Sequence, residues 1–219
     1  MDAMMERLSQ AIDRMAKESI GQHGNFHMVL SGGNTPRELY VLLAEMHADW
    51  KKWHIWFGDE RCVSPEDPER NSHMAAQVWL DKVAIPDLNR HVIPAELGVH
   101  GAEMYASLLS GMGEFDLTLL GLGEDGHTAS LFPGHASKSL NIDNTVYYVM
   151  DSPKPPAQRI TLSSQRLSKS RQVMFLVSGK SKSGALASWL AGEDIPAAAI
   201  TPRSGVDIAV SMDAWPSGN

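Results

Sequence analysis

The chain has 219 residues, 43% of them hydrophobic, enough to bury a core in one domain spanning 1–219. Its formal net charge of −7 argues against a nucleic-acid surface, which needs a concentrated basic face, so any anionic ligand must be met by a few local cations. The single cysteine, Cys62, excludes an internal disulfide and fits a reducing, cytoplasmic setting, while no segment has the ~18 apolar residues of a membrane span or the apolar core of a signal peptide.

Met4, Leu8, Ile12 and Met15 recur at helical spacing and predict an N-terminal amphipathic helix lying on a core. Short apolar runs followed by turn residues predict strands over 26–30, 54–57, 116–120, 145–149, 172–177, 197–200 and 207–210. Helix-length segments at 36–49, 68–83, 99–111 and 179–191 separate many of them. The order is mostly β-α-β-α, so the class is α/β, with a mostly parallel central sheet flanked by helices. Closely spaced strand and turn signals over 140–171 predict a small β-rich subregion. There is no internal repeat and no low-complexity linker.

Four loops carry the polar chemistry. After the 26–30 strand comes Ser31-Gly32-Gly33-Asn34-Thr35-Pro36. Two glycines let the backbone curl so that successive N–H groups point inward, Ser31 and Thr35 add hydroxyls, and the next helix presents its positive end. The pattern suits a phosphate, and equally an ordinary turn with Thr35 as N-cap and Pro36 as the first helical residue; the two are compatible. After the 54–57 strand comes Gly58-Asp59-Glu60-Arg61, at a place where open α/β sheets bind ligands. These charges form either a surface ion pair or, through the fixed fork of Arg61, a site for an anion or oxyanion.

The 116–120 strand ends in Gly121-Leu122-Gly123-Glu124-Asp125-Gly126-His127. Its glycines satisfy the dinucleotide pattern G-x-G-x-x-G, which requires a long helix starting at the third glycine. Pro133 follows only seven residues after Gly126, and the NIDN around Asp143 reads as a turn instead of the tip of a second strand, so the glycines are read as backbone hinges. His127 offers a general base near neutral pH with a carboxylate beside it, although a histidine that merely satisfies the loop fits the same position. His23, His91 and His100 stand in unremarkable polar surroundings. Later, Pro155-Pro156-Ala157-Gln158-Arg159-Ile160-Thr161 places Arg159 at the start of an apolar run, and Ser178-Gly179-Lys180-Ser181-Lys182 places Lys182 at the opening of a helix. Each is either solvated surface charge or one of the cations an acidic chain needs for an anionic ligand.

The set SGGNTP, GDER, GLGEDGHTASLFPG, PPAQRIT and SGKSK, in that order and at these separations, resembles the 6-phosphogluconolactonases over roughly residues 28 to 190. The resemblance implies a modified Rossmann-type fold shared with glucosamine-6-phosphate deaminase and ribose-5-phosphate isomerase. It implies hydrolysis of 6-phospho-D-glucono-1,5-lactone to 6-phospho-D-gluconate, the second step of the oxidative pentose phosphate pathway. It also implies His127 as catalytic base, with no metal, cofactor or covalent intermediate. On that footing Arg61 is the candidate for the oxyanion, and Asp125 or Asp59 orients the imidazole. The nest of Ser31, Gly32, Gly33, Asn34 and Thr35, with Arg159 and Lys182, is the expected 6-phosphate site. The expected partner is a small sugar phosphate, with no nucleic acid and no membrane, for a monomer or small homo-oligomer. The chain departs from the related deaminases, whose loop carries a catalytic glutamate five residues after the histidine and whose strand-end motif is D-E-Y. Phe132 and Arg61 stand at those places. A sugar-phosphate sensor of the same architecture would carry a DNA-binding segment, and none is recognisable.

Overall fold

The computed structural model describes residues 3–134 and 139–216. From the N-terminal side, α1 (Ala3–His23) leads into β1 (Phe26–Leu30), α2 (Asn34–Ala44), β2 (Trp53–Phe57), β3 (Asp59–Arg61) and α3 (Asn71–Val78). Next come β4 (Arg90–His91), α4 (Val99–Leu109), β5 (Phe115–Gly121), β6 (Ser139–Asn141), β7 (Val146–Val149) and β8 (Arg159–Leu162). The chain continues through α5 (Ser164–Ser168), β9 (Ser170–Val177), α6 (Ser183–Leu190) and β10 (Val206–Val210).

Six strands form a parallel sheet in the order β10-β9-β5-β1-β2-β4, and four form an antiparallel sheet, β3-β8-β7-β6. The registers Met28↔Ile55 and Met28↔Leu117 seat β1 between β2 and β5. Strands covered on both faces read as continuous apolar runs, and β5 is buried from Phe115 through Leu120. Met5, Leu8, Ile12 and Ala16 of α1 are buried, with Met4 and Met15 flanking that stripe, so the helix meets the core through the face its spacing predicts. The α/β class follows, and the predicted β-rich subregion corresponds to β6, β7 and β8.

Three expectations change. The helix expected over 36–49 runs as α2 from Asn34 and stops at Ala44. The run 197–200 is a 3-10 turn over Pro196–Ala199 and not a strand. Proline at the first turn and three alanines without β-branching suit a helical turn, and the Ala197 N–H donates to the Gly126 carbonyl at 3.1 Å instead of joining a ladder. The helix expected over 68–83 is shorter: α3 stops at Val78, and a 3-10 turn over Leu80–Lys82 follows.

Two buried tyrosines pin the ends of the central strands. The Tyr40 hydroxyl donates to the Ser31 carbonyl at 2.8 Å and accepts from the Ser31 N–H at 3.0 Å. The Tyr105 hydroxyl does the same for Phe57, at 3.0 and 3.1 Å. Burial pushes both phenols well above their ordinary range, so they stay neutral.

The join between the two sheets is polar. Glu60 of β3 is fully buried and accepts from the backbone N–H groups of Arg61, Asn71 and Ser72 at 2.9, 2.7 and 2.8 Å. Asn71 and Ser72 open α3, so the carboxylate also faces the positive end of that helix. Arg70, 2% exposed, lies 3.4 Å from the other side and extends to the Ile93 and Val63 carbonyls. Arg70 keeps a second carboxylate, that of Glu96 at 3.1 Å, but Glu60→Ala removes the acceptor of three backbone N–H groups and one of the two carboxylates on a buried guanidinium, so it should destabilise the fold by about 3–5 kcal/mol. Urea unfolding would measure it, and a loss below about 1 kcal/mol would contradict this account.

Candidate active site

The loops after β9, β5, β1 and β2, four adjacent parallel strands, converge on one side of the sheet. They enclose a cavity of about 490 Å³ with mostly polar walls. A larger groove of about 680 Å³ lies between α1 and residues 46–50, lined mainly by apolar side chains and reached by none of these loops. The strand-end cavity is therefore the candidate site. Ser31, Gly32, Gly33, Asn34, Thr35, Asp59, Arg61, His127, Arg159 and Lys182 all line it. Asp125 stands directly behind His127.

The helix after the nest begins earlier than the capping pattern suggests. Its N-cap is Gly33, at φ 102°, with Asn34, Thr35 and Pro36 as its first helical residues. No side chain caps it, and neither Asn34 nor Thr35 makes a side-chain hydrogen bond among the described residues. The leading amides are thus left to the cavity. Gly32 is required for another reason: a Cβ there would lie 1.9 Å from Oδ1 of Asn71.

In the loop after β5, Nδ1 of His127 lies 2.5 Å from Oδ1 of Asp125, leaving Nε2 without a partner among the described residues. The loop closes on itself through Gly123 N–H to the His127 carbonyl at 2.7 Å and Gly126 N–H to the Gly123 carbonyl at 3.1 Å. A Cβ on Gly123 would meet the His127 Nδ1 at 1.9 Å and the Asp125 carboxylate at 2.6 Å. Gly126 has φ 79°, and a Cβ there would press on Ile195 at 2.8 Å. Gly121 is the last residue of β5 and has room for a Cβ, so it is not one of the hinges. After His127 the chain forms a bridge between Thr128 and Leu131, not the helix a dinucleotide site needs. Burial holds the imidazole below its ordinary range, opposed chiefly by the hydrogen bond and charge of Asp125.

Asp59 reaches the cavity without bonding to His127. One of its oxygens accepts from Ser130 Oγ at 2.6 Å and the other from Asn71 Nδ2 at 3.1 Å. Arg61 is anchored by its Nη1 to the Glu69 carbonyl at 2.5 Å. Arg159 is 5% exposed; its Nε and Nη2 donate to the carbonyls of Pro156, Pro155 and Lys154, so much of its fork holds that loop. Lys182 forms no ion pair among the described residues. Sequence reasoning missed Lys154, which lines the cavity 3.9 Å from the Asp125 carboxylate, and Asn71, which braces Asp59 and fills the space beside Gly32. Adjacency to PPAQRIT was the available sign for Lys154; Asn71 had none. His91 is not in polar surroundings: it stacks on Trp56 at 3.8 Å and bonds to His54.

The family model for glucosamine-6-phosphate isomerases/6-phosphogluconolactonase matches residues 1–209. The chain belongs to this family. It is 37% identical to a 6-phosphogluconolactonase of Synechocystis, over 88% of this chain and 83% of that protein. The crystal structure of a Thermotoga maritima 6-phosphogluconolactonase superposes with a TM-score of 0.88, at 29% identity over 95% of each chain. A monomeric glucosamine-6-phosphate deaminase superposes at 0.78 with 24% identity, over 96% of this chain and 95% of that one, and shows the shared fold alone. In this member of the family the glycine contacts give a direct test. Gly123→Ala should break the His127–Asp125 contact and cost about 1–3 kcal/mol by overpacking, whereas Gly121→Ala should stay within about 0.5 kcal/mol. Unfolding midpoints and the His127 resonances would distinguish them, and equal effects would refute the assignment.

Proposed function

We propose that the chain, acting as one domain, hydrolyses 6-phospho-D-glucono-1,5-lactone to 6-phospho-D-gluconate in the pentose phosphate pathway, with water as nucleophile. The observation that carries the reading is one imidazole, held at Nδ1 by Asp125 and with no partner at Nε2 among the described residues, beside a cavity walled by an amide nest and cationic side chains. Its match to lactonases over most of the chain supports the substrate. Phe132, where the related deaminases carry their glutamate, disfavours the deaminase reaction.

With Nδ1–H donated to Asp125, Nε2 takes a proton from water as its oxygen attacks the lactone carbonyl carbon, and the carbonyl electrons move to oxygen. The oxyanion then collapses, the bond from that carbon to the ring oxygen breaks, and the imidazolium returns its proton to the ring oxygen. Asp125 maintains the tautomer and stabilises the imidazolium. Arg61, already fixed by the Glu69 carbonyl, stabilises the oxyanion with little reorganisation. Asp59, engaged with Ser130 and Asn71, shapes the wall between them. The 6-phosphate occupies the nest of Ser31 to Thr35 beside Lys182, with Arg159 adding charge while it holds the 154–156 loop. Burial pushes the Cys62 thiol up to about 11, which suits a structural residue in a reducing cytoplasmic setting and not a nucleophile.

Mixed with freshly generated lactone, the protein should outpace spontaneous hydrolysis; equal rates would sink the proposal. His127→Ala should lower kcat by about 10²–10⁴-fold without shifting the unfolding midpoint. Because the imidazole sits below its ordinary value, the acid limb of the kcat/KM profile should fall below about pH 6.5. Asp125→Asn removes the influences that raise it, so the limb should move lower still while kcat drops; an upward move would refute the pairing. Lys182→Ala should raise KM about tenfold and leave kcat within about twofold, as expected for lost phosphate binding of about 1.4 kcal/mol. Equal losses with a lactone lacking the phosphate would remove Lys182 from that role.

A further inference from the structure

We infer that Phe132 is a positioning residue for His127: its ring closes one face of the imidazole and restricts it to the orientation in which Nδ1 meets Asp125. The inference rests on the reading of His127 as the base. The two ring centroids are 4.7 Å apart with their planes tilted by 35°. The bridge between Thr128 and Leu131 reverses the chain and brings residue 132 back over residue 127. Phe132 is itself buried, and the guanidinium of Arg159 stands over its ring, 5.8 Å from the centroid. That guanidinium is tied to the 154–156 carbonyls, so a chain of fixed contacts runs from the loop to the base.

The need for such a contact comes from torsional freedom. The outer torsion of a histidine is broad, so one hydrogen bond at Nδ1 leaves the ring able to swing about that point. A flat side chain against its face removes the swing, and an error of about 1 Å in a catalytic group can cost about 10²-fold in rate. Phe132 also lines a separate cavity of about 360 Å³, with Ser130, Tyr147 and Ser164, which His127 does not line. The phenyl ring therefore stands between that space and the imidazole and keeps water from one face of the base.

The test uses Phe132→Ala and Phe132→Leu, with Phe132→Tyr as the ring-preserving variant, in the full chain. Leucine retains most of the volume and serves if alanine fails to fold. The His127 imidazole is titrated by NMR without substrate, its resonance assigned by its loss in His127→Ala, and kcat and KM are measured alongside. With the ring removed, water reaches the imidazole, so its pKa should rise toward 6.5 and the acid limb should move up with it. In Phe132→Ala kcat should fall about tenfold while KM changes less than about twofold, and Phe132→Tyr should restore most of the rate. An unshifted titration in both alanine and leucine variants, or a tyrosine variant as impaired as alanine, would overturn the role of Phe132. Full turnover in His127→Ala alongside a shifted titration would instead overturn the assignment of the base, which separates the two failures.

Discussion

The carboxylate of Glu60, wholly removed from solvent, accepts three backbone N–H groups and faces the guanidinium of Arg70, and the geometry of β3 follows from that anchorage. Side chains alternate along a strand, so turning Glu60 inward turns Asp59 and Arg61 to the opposite face, where both line the cavity. The same anchorage starts α3 at Asn71, whose amide then braces Asp59. It also sets the register with β8, in which Arg61 stands directly across from Arg159. Like charges so placed repel. The repulsion is offset by carbonyls, that of Glu69 for Arg61 and those of the 154–156 loop for Arg159. A chain of net charge −7 thereby concentrates positive charge where a phosphate is proposed to bind.

Where a parallel ladder ends, backbone groups lose their strand partners while still buried, and something must satisfy them. At the ends of β1 and β2 that role falls to Tyr40 and Tyr105, each reaching from a helix to bond both the N–H and the carbonyl of one residue. Ser31, the first residue of the nest, and Phe57, next to the Gly58 that leads into the charged strand β3, are thus fixed. After β5 no tyrosine does this. The Thr128 hydroxyl bonds the Gly121 carbonyl at 2.9 Å, and the turn over Pro196–Ala199 supports Gly126. The loop that carries His127 is therefore held by local contacts and one distant turn, and its imidazole has Phe132 as a further constraint of its own.

The parallel strands other than the two-residue β4, and the four polar loops, were legible in the sequence because each depends on local pattern: an apolar run, then glycines and charged residues. The strand β3 was not, since Asp59–Arg61 carries no apolar alternation and exists as a strand only by pairing with β8, about a hundred positions later. The run 197–200 misled for the converse reason, as an apolar segment whose backbone partner, Gly126, is distant. Whether Asp125 or Asp59 meets His127 could not be read from spacing. Asp59 lies at a strand end, as a partner should, but Ser130 and Asn71 occupy its carboxylate. Arg159 looked like a free cation because the carbonyls that hold it, three to five residues before it, leave no trace in composition.

The G-x-G-x-x-G run shows how one pattern serves two sets of physical demands. In a dinucleotide site the glycines allow a tight turn, approach of a pyrophosphate and packing of a helix onto its strand. Here Gly123 lacks a Cβ because the imidazole of His127 and the carboxylate of Asp125 occupy that volume, and Gly126 lacks one because of its positive φ and the side chain of Ile195. Gly121 meets neither demand. What separates the two cases is the chain that follows: a helix would aim its amides at a phosphate, whereas a bridge between Thr128 and Leu131 folds the loop back so that Phe132 covers the histidine. The glycines hold a side chain close to the backbone, and the amides proposed to bind the anion belong to the other glycine pair, after β1.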